Sequence, residues 1–333
     1  MFQGLPKIEL HCHLDASVRI QTVAELGREL GLNLPAALRT ALVAPDTCFD
    51  LADYIRRIDL ALEVMQEREA LTRIAREFVE DLAADGIIYG EVRFAPQLHT
   101  RRSLSLQEVV DAVHEGLQQG RQQYGVGTGL ILCCLRHEPV AVSFTVAKLA
   151  VANMDKVCAL DLAGDEARFP GAPHAQAFEL ARSAGLARTV HAGEAAGPES
   201  VEEALDVLFA QRIGHGVRVE ASPQLSNRVR HDTIPLEMCP TSNVQTRAVA
   251  SFQSHPIDRL LRKGLRVTVS TDGRTVSETS VTSEFERLAQ GWRWGLNEFW
   301  ICQKNAAEAA FVSPRVRQEL LARIEPLASS AEG

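Results

Sequence analysis

No window of about 18 consecutive apolar residues occurs in the 333-residue chain, which excludes a transmembrane helix. Its first residues, MFQGLPKIELHCH, lack a basic segment followed by an apolar one, so no signal peptide is expected. Basic residues are not in excess: 35 Lys and Arg stand against 43 Asp and Glu, a net charge of −8. That balance argues against a nucleic-acid or membrane-surface footprint and leaves a small neutral substrate open. No C-x-x-C occurs among the seven cysteines, and their number is odd. This is reduced, cytoplasmic usage, not a disulfide framework. Nor is there an internal repeat, a low-complexity linker or a break in composition, so residues 1–333 read as one domain.

What is present is an alternation of short β-branched runs with longer amphipathic segments. Strands are predicted at 7–13, 87–94, 128–135, 157–162, 187–191, 212–215, 234–238 and 265–271. Between them, apolar residues recur at helical spacing. Leu106, Val109, Val110, Val113 and Leu117 form one stripe, and Leu71, Ile74, Phe78 and Leu82 form another that stops at Asp85-Gly86. Eight strands, most followed by a helix, predict an α/β fold of the (β/α)8 barrel type. The stretch 14–86 is too long for one crossover and is read as extra helices after the first strand, near 20–30 and 49–65. A helical segment over 280–325 is expected to close the bottom or side of the barrel.

Residues able to bind a metal collect at the predicted strand ends. His11 and His13 end the first strand, His191 the fifth, His215 the sixth and Asp272 the eighth. In a barrel this is the rim on which active sites are built. Side chains at i and i+2 of a strand share a face, so His11 and His13 can reach one cation while Cys12 points away. In "VHAGE", a small-residue turn brings the imidazole of His191 and the carboxylate of Glu194 towards one cavity. In "RIGHGVRV", glycines on both sides of His215 allow close approach. Three histidines and one aspartate on strands one, five and eight make an N3O set suited to zinc or a similar divalent ion. His215 and Glu194 remain as a spare base and acid, the makings of a hydrolytic site.

The stretches "PKIELHCHLDAS", "LDLAGDE", "VHAGE", "RIGHGVRV", "LEMCPTSN" and "VSTDGRTVS" together resemble the adenosine deaminase family of metal-dependent amidohydrolases, in the family's order, over residues 6–277. The resemblance implies a barrel with one zinc held by His11, His13, His191 and Asp272. It implies that Glu194 protonates N1 of a 6-aminopurine, and that His215 orients the attacking water and takes or relays its proton, with Asp272 as a second partner. Asp15, Gly164 and His13 would contact the substrate: Asp15 near the ribose 5′-hydroxyl, Gly164 through its backbone N–H. Read without the resemblance, Asp15 is a surface helix cap and Gly164 a turn glycine. Asp161 is a candidate for orienting a ligand histidine.

Two positions depart from the family pattern. Gly273 stands where many members place an Asp that bonds purine N7, and Ala16 stands where glycine is usual. Arg274, Thr275 and Ser277 are the nearby side chains that could replace the missing contact. The function the resemblance implies is zinc-dependent deamination of adenosine, and of 2′-deoxyadenosine, to inosine and ammonia in purine salvage. The alternatives are another 6-aminopurine, adenine or 6-amino-6-deoxyfutalosine, and a catalytically dead relative that only binds ligands.

Overall fold

A computed structural model of the chain describes residues 1–329. All eight predicted strands are present: β1 Lys7–His13, β2 Ile87–Phe94, β3 Gly127–Leu135, β4 Val157–Ala163, β5 Ala187–Ala192, β6 Arg212–His215, β7 Leu236–Met238 and β8 Val267–Val269. They pair in parallel, in sequence order. β8 meets β1 only at the rim, where Asp272 N–H donates to the carbonyl of His11 at 3.0 Å and His13 N–H donates to that of Asp272 at 2.6 Å. The fold is a nearly closed (β/α)8 barrel.

β7 begins at residue 236, two residues later than predicted, and β8 spans 267–269, two residues inside the predicted bounds at each end. Beyond Val269, the Thr271 N–H bonds the side chain of Glu9 at 3.0 Å, and Asp272 turns to φ +66°. The insertion after β1 forms helices Ile20–Glu29, Leu38–Leu42, Leu51–Ile55 and Asp59–Val64. The predicted apolar stripes lie buried on helices Arg68–Ala84 and Leu106–Tyr124. Leu106 is the exception, half-buried in a first turn whose amides Ser105 and Glu108 cap reciprocally.

The strands alternate, but their polar residues face the barrel interior and their apolar ones face the helices. Ile8, Leu10, Val92, Phe94, Leu160, Ile213 and Leu236 join the outer core. Inside, the fully buried Arg93 bridges Asp161 at 3.1 Å and Glu237 at 2.7 Å, and Arg212 bridges Glu237 at 2.6 Å and Glu91 at 2.5 Å. Pairing every charge is what makes their burial tolerable. The C-terminal helices Val281–Trp292, Leu296–Ala309 and Pro314–Ser329 complete the outside. At the end of the second of these the Ala309 carbonyl accepts from Arg212, and just beyond it the Phe311 ring lies 3.7 Å from the same guanidinium. The end opposite the histidines is thereby plugged.

One buried acid makes the fold sensitive to pH. Glu284 is fully buried, accepting from Thr241 N–H at 3.2 Å and Thr279 Oγ1 at 2.8 Å, and burial pushes its pKa from 4.5 up to about 7. Below the unfolded value both states carry the proton. Between pH 4.5 and 7 the folded protein holds it longer, so stability falls as pH rises through that window and then levels. Glu284→Gln is expected to stabilise the protein at pH 8 by up to roughly 3 kcal/mol, with the gain vanishing near pH 4.5. Urea denaturation at the two pH values checks this; an equal effect at both would remove Glu284 as the cause.

Candidate active site and metal centre

The rim gathers all the metal-binding candidates into one cluster. Nitrogen and oxygen ligand atoms of His11, His191, His215 and Asp272 lie within 4.8 Å of one another. His13 adds a nitrogen 3.1 Å from His191 Nε2 and 3.5 Å from Asp272 Oδ1, and His11 Nε2 is 3.4 Å from the same oxygen. Ligand atoms about 2.0–2.1 Å from a tetrahedral ion sit about 3.3 Å apart, so these separations are the edges of such a site. His215 and Asp272 hold φ of +62° and +66°. For a residue with a side chain that conformation costs about 1–2 kcal/mol, strain of the kind that persists at functional sites.

Residues deeper in the barrel decide which ring nitrogen each histidine turns to the cluster. His11 Nδ1–H donates to Glu237 at 2.8 Å, and His191 Nδ1–H donates to Asp161 at 3.2 Å. Each ring thus keeps a lone pair on Nε2, and that of His11 is buried without a hydrogen bond. An orphaned, inward-facing lone pair of this kind fits a bound cation. Against the cost of burial, Arg93 and Arg212 hold the Glu237 carboxyl well below its ordinary range, and His191 and Arg93 do the same for Asp161. Asp272 Oδ2 accepts from Ser242 at 2.6 Å, which leaves Oδ1 towards the histidines. Asp161 occupies the orienting position considered for it from the sequence. Glu237, Arg93 and Ser242 escape sequence reading because strand residues Glu237 and Arg93 look like ordinary alternation.

Glu194 stands on the turn after β5. Glu166 shapes that turn, accepting from the backbone N–H of Gly193 at 2.6 Å, Glu194 at 2.9 Å, Ala195 at 2.6 Å and Ala196 at 3.1 Å. The Glu194 side chain is 4% exposed, with Oε2 3.6 Å from His215 Nε2 and Oε1 buried without a partner. Burial, then the neighbouring Asp272 and Glu166 carboxylates, push its pKa well above the ordinary carboxylate value. Burial drives His13 and His215 the other way, and both stay neutral.

These groups open into one cavity of about 210 Å³. Asp15 lines it and is buried, with its pKa raised by burial to about 7, so it is not a surface cap. Gly164, at φ +96°, forms another wall; a side chain there would be strained and would meet His137 at 3.0 Å. Leu51, Tyr54, Ile58 and Leu62 from the inserted helices supply an apolar roof. Arg101 is the one Lys or Arg lining the cavity among the described residues, and it pairs with Glu63 at 2.5 Å.

Arg274, Thr275 and Ser277 are not part of the cavity wall. Arg274 is taken up by Glu9 at 2.8 Å and Asp85 at 2.9 Å, and Ser277 bonds the Tyr54 hydroxyl at 2.6 Å. The two unusual positions prove to be one packing unit, since a Cβ on Gly273 would lie 2.5 Å from Ala16 Cβ. Gly273→Asp alone is therefore expected to cost about 1–3 kcal/mol through overpacking. Adding Ala16→Gly should restore most of it in thermal denaturation; no recovery in the double variant would break the pairing.

The adenosine deaminase family model matches residues 6–327. An adenosine deaminase of Clostridium acetobutylicum is 39% identical over 97% of this chain and 98% of its own. Among solved structures, an adenine deaminase from Arthrobacter aurescens superposes with a TM-score of 0.92 at 28% identity, covering 98% and 99% of the two chains. The N6-methyl-AMP deaminase of Arabidopsis thaliana gives 0.85 at 27%, covering 99% and 98%. With an acid, neutral imidazoles and a metal-competent cluster around one cavity, and kinship along nearly its whole length, the chain belongs to the adenosine deaminase family and is a hydrolytic deaminase.

Proposed function

We propose that the protein deaminates adenosine and 2′-deoxyadenosine to inosine or 2′-deoxyinosine plus ammonia, with one zinc per chain, in cytoplasmic purine salvage. The carrying observation is the buried Glu194 carboxyl, its Oε1 without a partner and its Oε2 3.6 Å from His215 Nε2, lining one cavity with His13, His191 and Asp272. His11, His13, His191 and Asp272 would hold the metal, which when bound supplies a nucleophilic water at neutral pH. Glu194 gives its proton to ring N1, making C6 electrophilic. His215 and Asp272 hold the water in line with C6; Asp272 takes the proton the water gives up as its oxygen bonds to C6 and returns it to the amino group, which leaves as ammonia. Gly164 N–H and His13 position the purine, and Asp15 meets a ribose hydroxyl.

The charge of the cavity favours a nucleoside over a nucleotide. Asp15 and Asp59 line it, while its one Arg is already paired, so a phosphate dianion would meet carboxylates. Adenine is the second reading, because the likeness to the Arthrobacter enzyme is whole-chain and position 273, a glycine, offers no acid for N7. Ammonia release by the zinc-loaded protein from adenosine, 2′-deoxyadenosine, adenine, 6-amino-6-deoxyfutalosine and AMP tests this. Fast turnover of the two adenosine nucleosides alone is expected; preference for adenine or AMP would overturn the assignment.

A further inference from the structure

We propose that Asn243 and His255 are positioning residues that fix the His215 imidazole with its proton on Nε2, so that His215 presents an N–H, not a lone pair, to the reacting centre. The inference deepens the proposed reaction at the same site and rests on it for the meaning of that N–H.

The chain of polarity starts at a backbone amide, which cannot reverse. Ile257 N–H donates to His255 Nδ1 at 3.1 Å. A neutral His255 then carries its proton on Nε2, and that atom lies 3.0 Å from Asn243 Oδ1. Burial and Arg259 lower the His255 pKa to about 3, consistent with a neutral ring. With Oδ1 occupied as acceptor, Asn243 turns its NH2 group to His215 Nδ1, 3.0 Å away. Turning the Asn243 amide over would set two donors against each other at His255, which has no other tautomer available while Ile257 holds Nδ1. His215 Nδ1 therefore accepts, and its proton sits on Nε2. All three side chains are at most 1% exposed, so no water competes for these bonds.

His215 is thus the opposite of His11 and His191, whose Nδ1–H groups donate to Glu237 and Asp161 and whose Nε2 atoms keep lone pairs. Distance alone groups His215 with the ligands, yet an Nε2 bearing hydrogen cannot coordinate. The fourth ligand place falls to His13. From Nε2, 3.6 Å from Glu194, His215 can donate a hydrogen bond to the oxygen that adds to C6, stabilising charge as it develops there. Asn243 belongs to the "CPTSN" stretch and His255 to "SHPID", and neither residue is used by the rest of the mechanism.

Nitrogen-15 NMR of the zinc-loaded protein labelled at histidine reads the tautomer directly, with the His215 signals assigned by their loss in His215→Gln. The expected pattern is a protonated Nε2 and a bare Nδ1; the reverse pattern overturns the proposal, whichever substrate is turned over. Asn243→Asp offers a carboxylate that accepts from Nδ1–H, and should invert the pattern. It should lower kcat about 100-fold while zinc content holds and KM moves less than about threefold. An unchanged tautomer in that variant, or kcat within about twofold, would also overturn it. His255→Gln, which can still donate to Asn243 Oδ1, should keep most of the activity that His255→Leu loses. Equal losses in the two would leave His255 without the role. If either Asn243→Asp or His255→Leu fails to fold, the wild-type spectrum still decides.

Discussion

Glu194→Gln is expected to keep its metal and to lose about 10²–10⁴-fold in kcat on adenosine, the span that a positioned general acid contributes. The substitution is nearly isosteric. The turn carrying residue 194 is built by Glu166 through four backbone N–H groups, none of which involves the Glu194 side chain. Geometry should survive while the transferable proton disappears. Burial and two neighbouring carboxylates raise the Glu194 pKa, which is what a donor to a weakly basic ring nitrogen requires. Because the proton matters only as C6 changes hybridisation, the loss belongs in kcat more than in KM. Steady-state kinetics beside elemental metal analysis reads both, and a kcat within about tenfold of wild type would end the assignment of N1 protonation.

The second large effect separates ligand from neighbour. His13→Ala is expected to lose metal and activity together, and His215→Ala to lose activity while keeping most of its metal. The basis is that His13 Nε2 faces His191 Nε2 and Asp272 Oδ1 at tetrahedral-edge distances, whereas His215 Nδ1 accepts from Asn243 and its Nε2 carries hydrogen. Loss of an outer partner such as Glu237 or Asp161 weakens metal binding about 10–100-fold, so loss of His13 itself should exceed that range. Zinc content after dialysis against a graded chelator series measures it. Full metal in His13→Ala with an empty His215→Ala would exchange the two roles.

Much of this was legible along the chain, and the reason is locality. The strand positions follow from β-branched runs bounded by turn residues. The rim residues follow from period-2 geometry at His11 and His13 and from small-residue turns at His191 and His215. Even the two departures, Ala16 and Gly273, stand out in the sequence as single positions.

Tertiary structure decided how those positions answer one another. Ala16 and Gly273 are 257 residues apart in sequence, yet each sets the space available to the other. His11 takes its tautomer from Glu237, 226 residues away. His215 takes its own from Asn243 and His255. A charged residue in a strand such as Arg93 or Glu237 has the same local pattern whether it faces water or a barrel interior; only closure of the sheet sends it inside. By itself the sequence determined the strands, the rim and the list of polar groups on it. Which imidazoles offer a lone pair and which an N–H is set by partners on other strands and loops, because a ring nitrogen is committed by the hydrogen bond its opposite nitrogen makes, and that partner exists only once the barrel has closed.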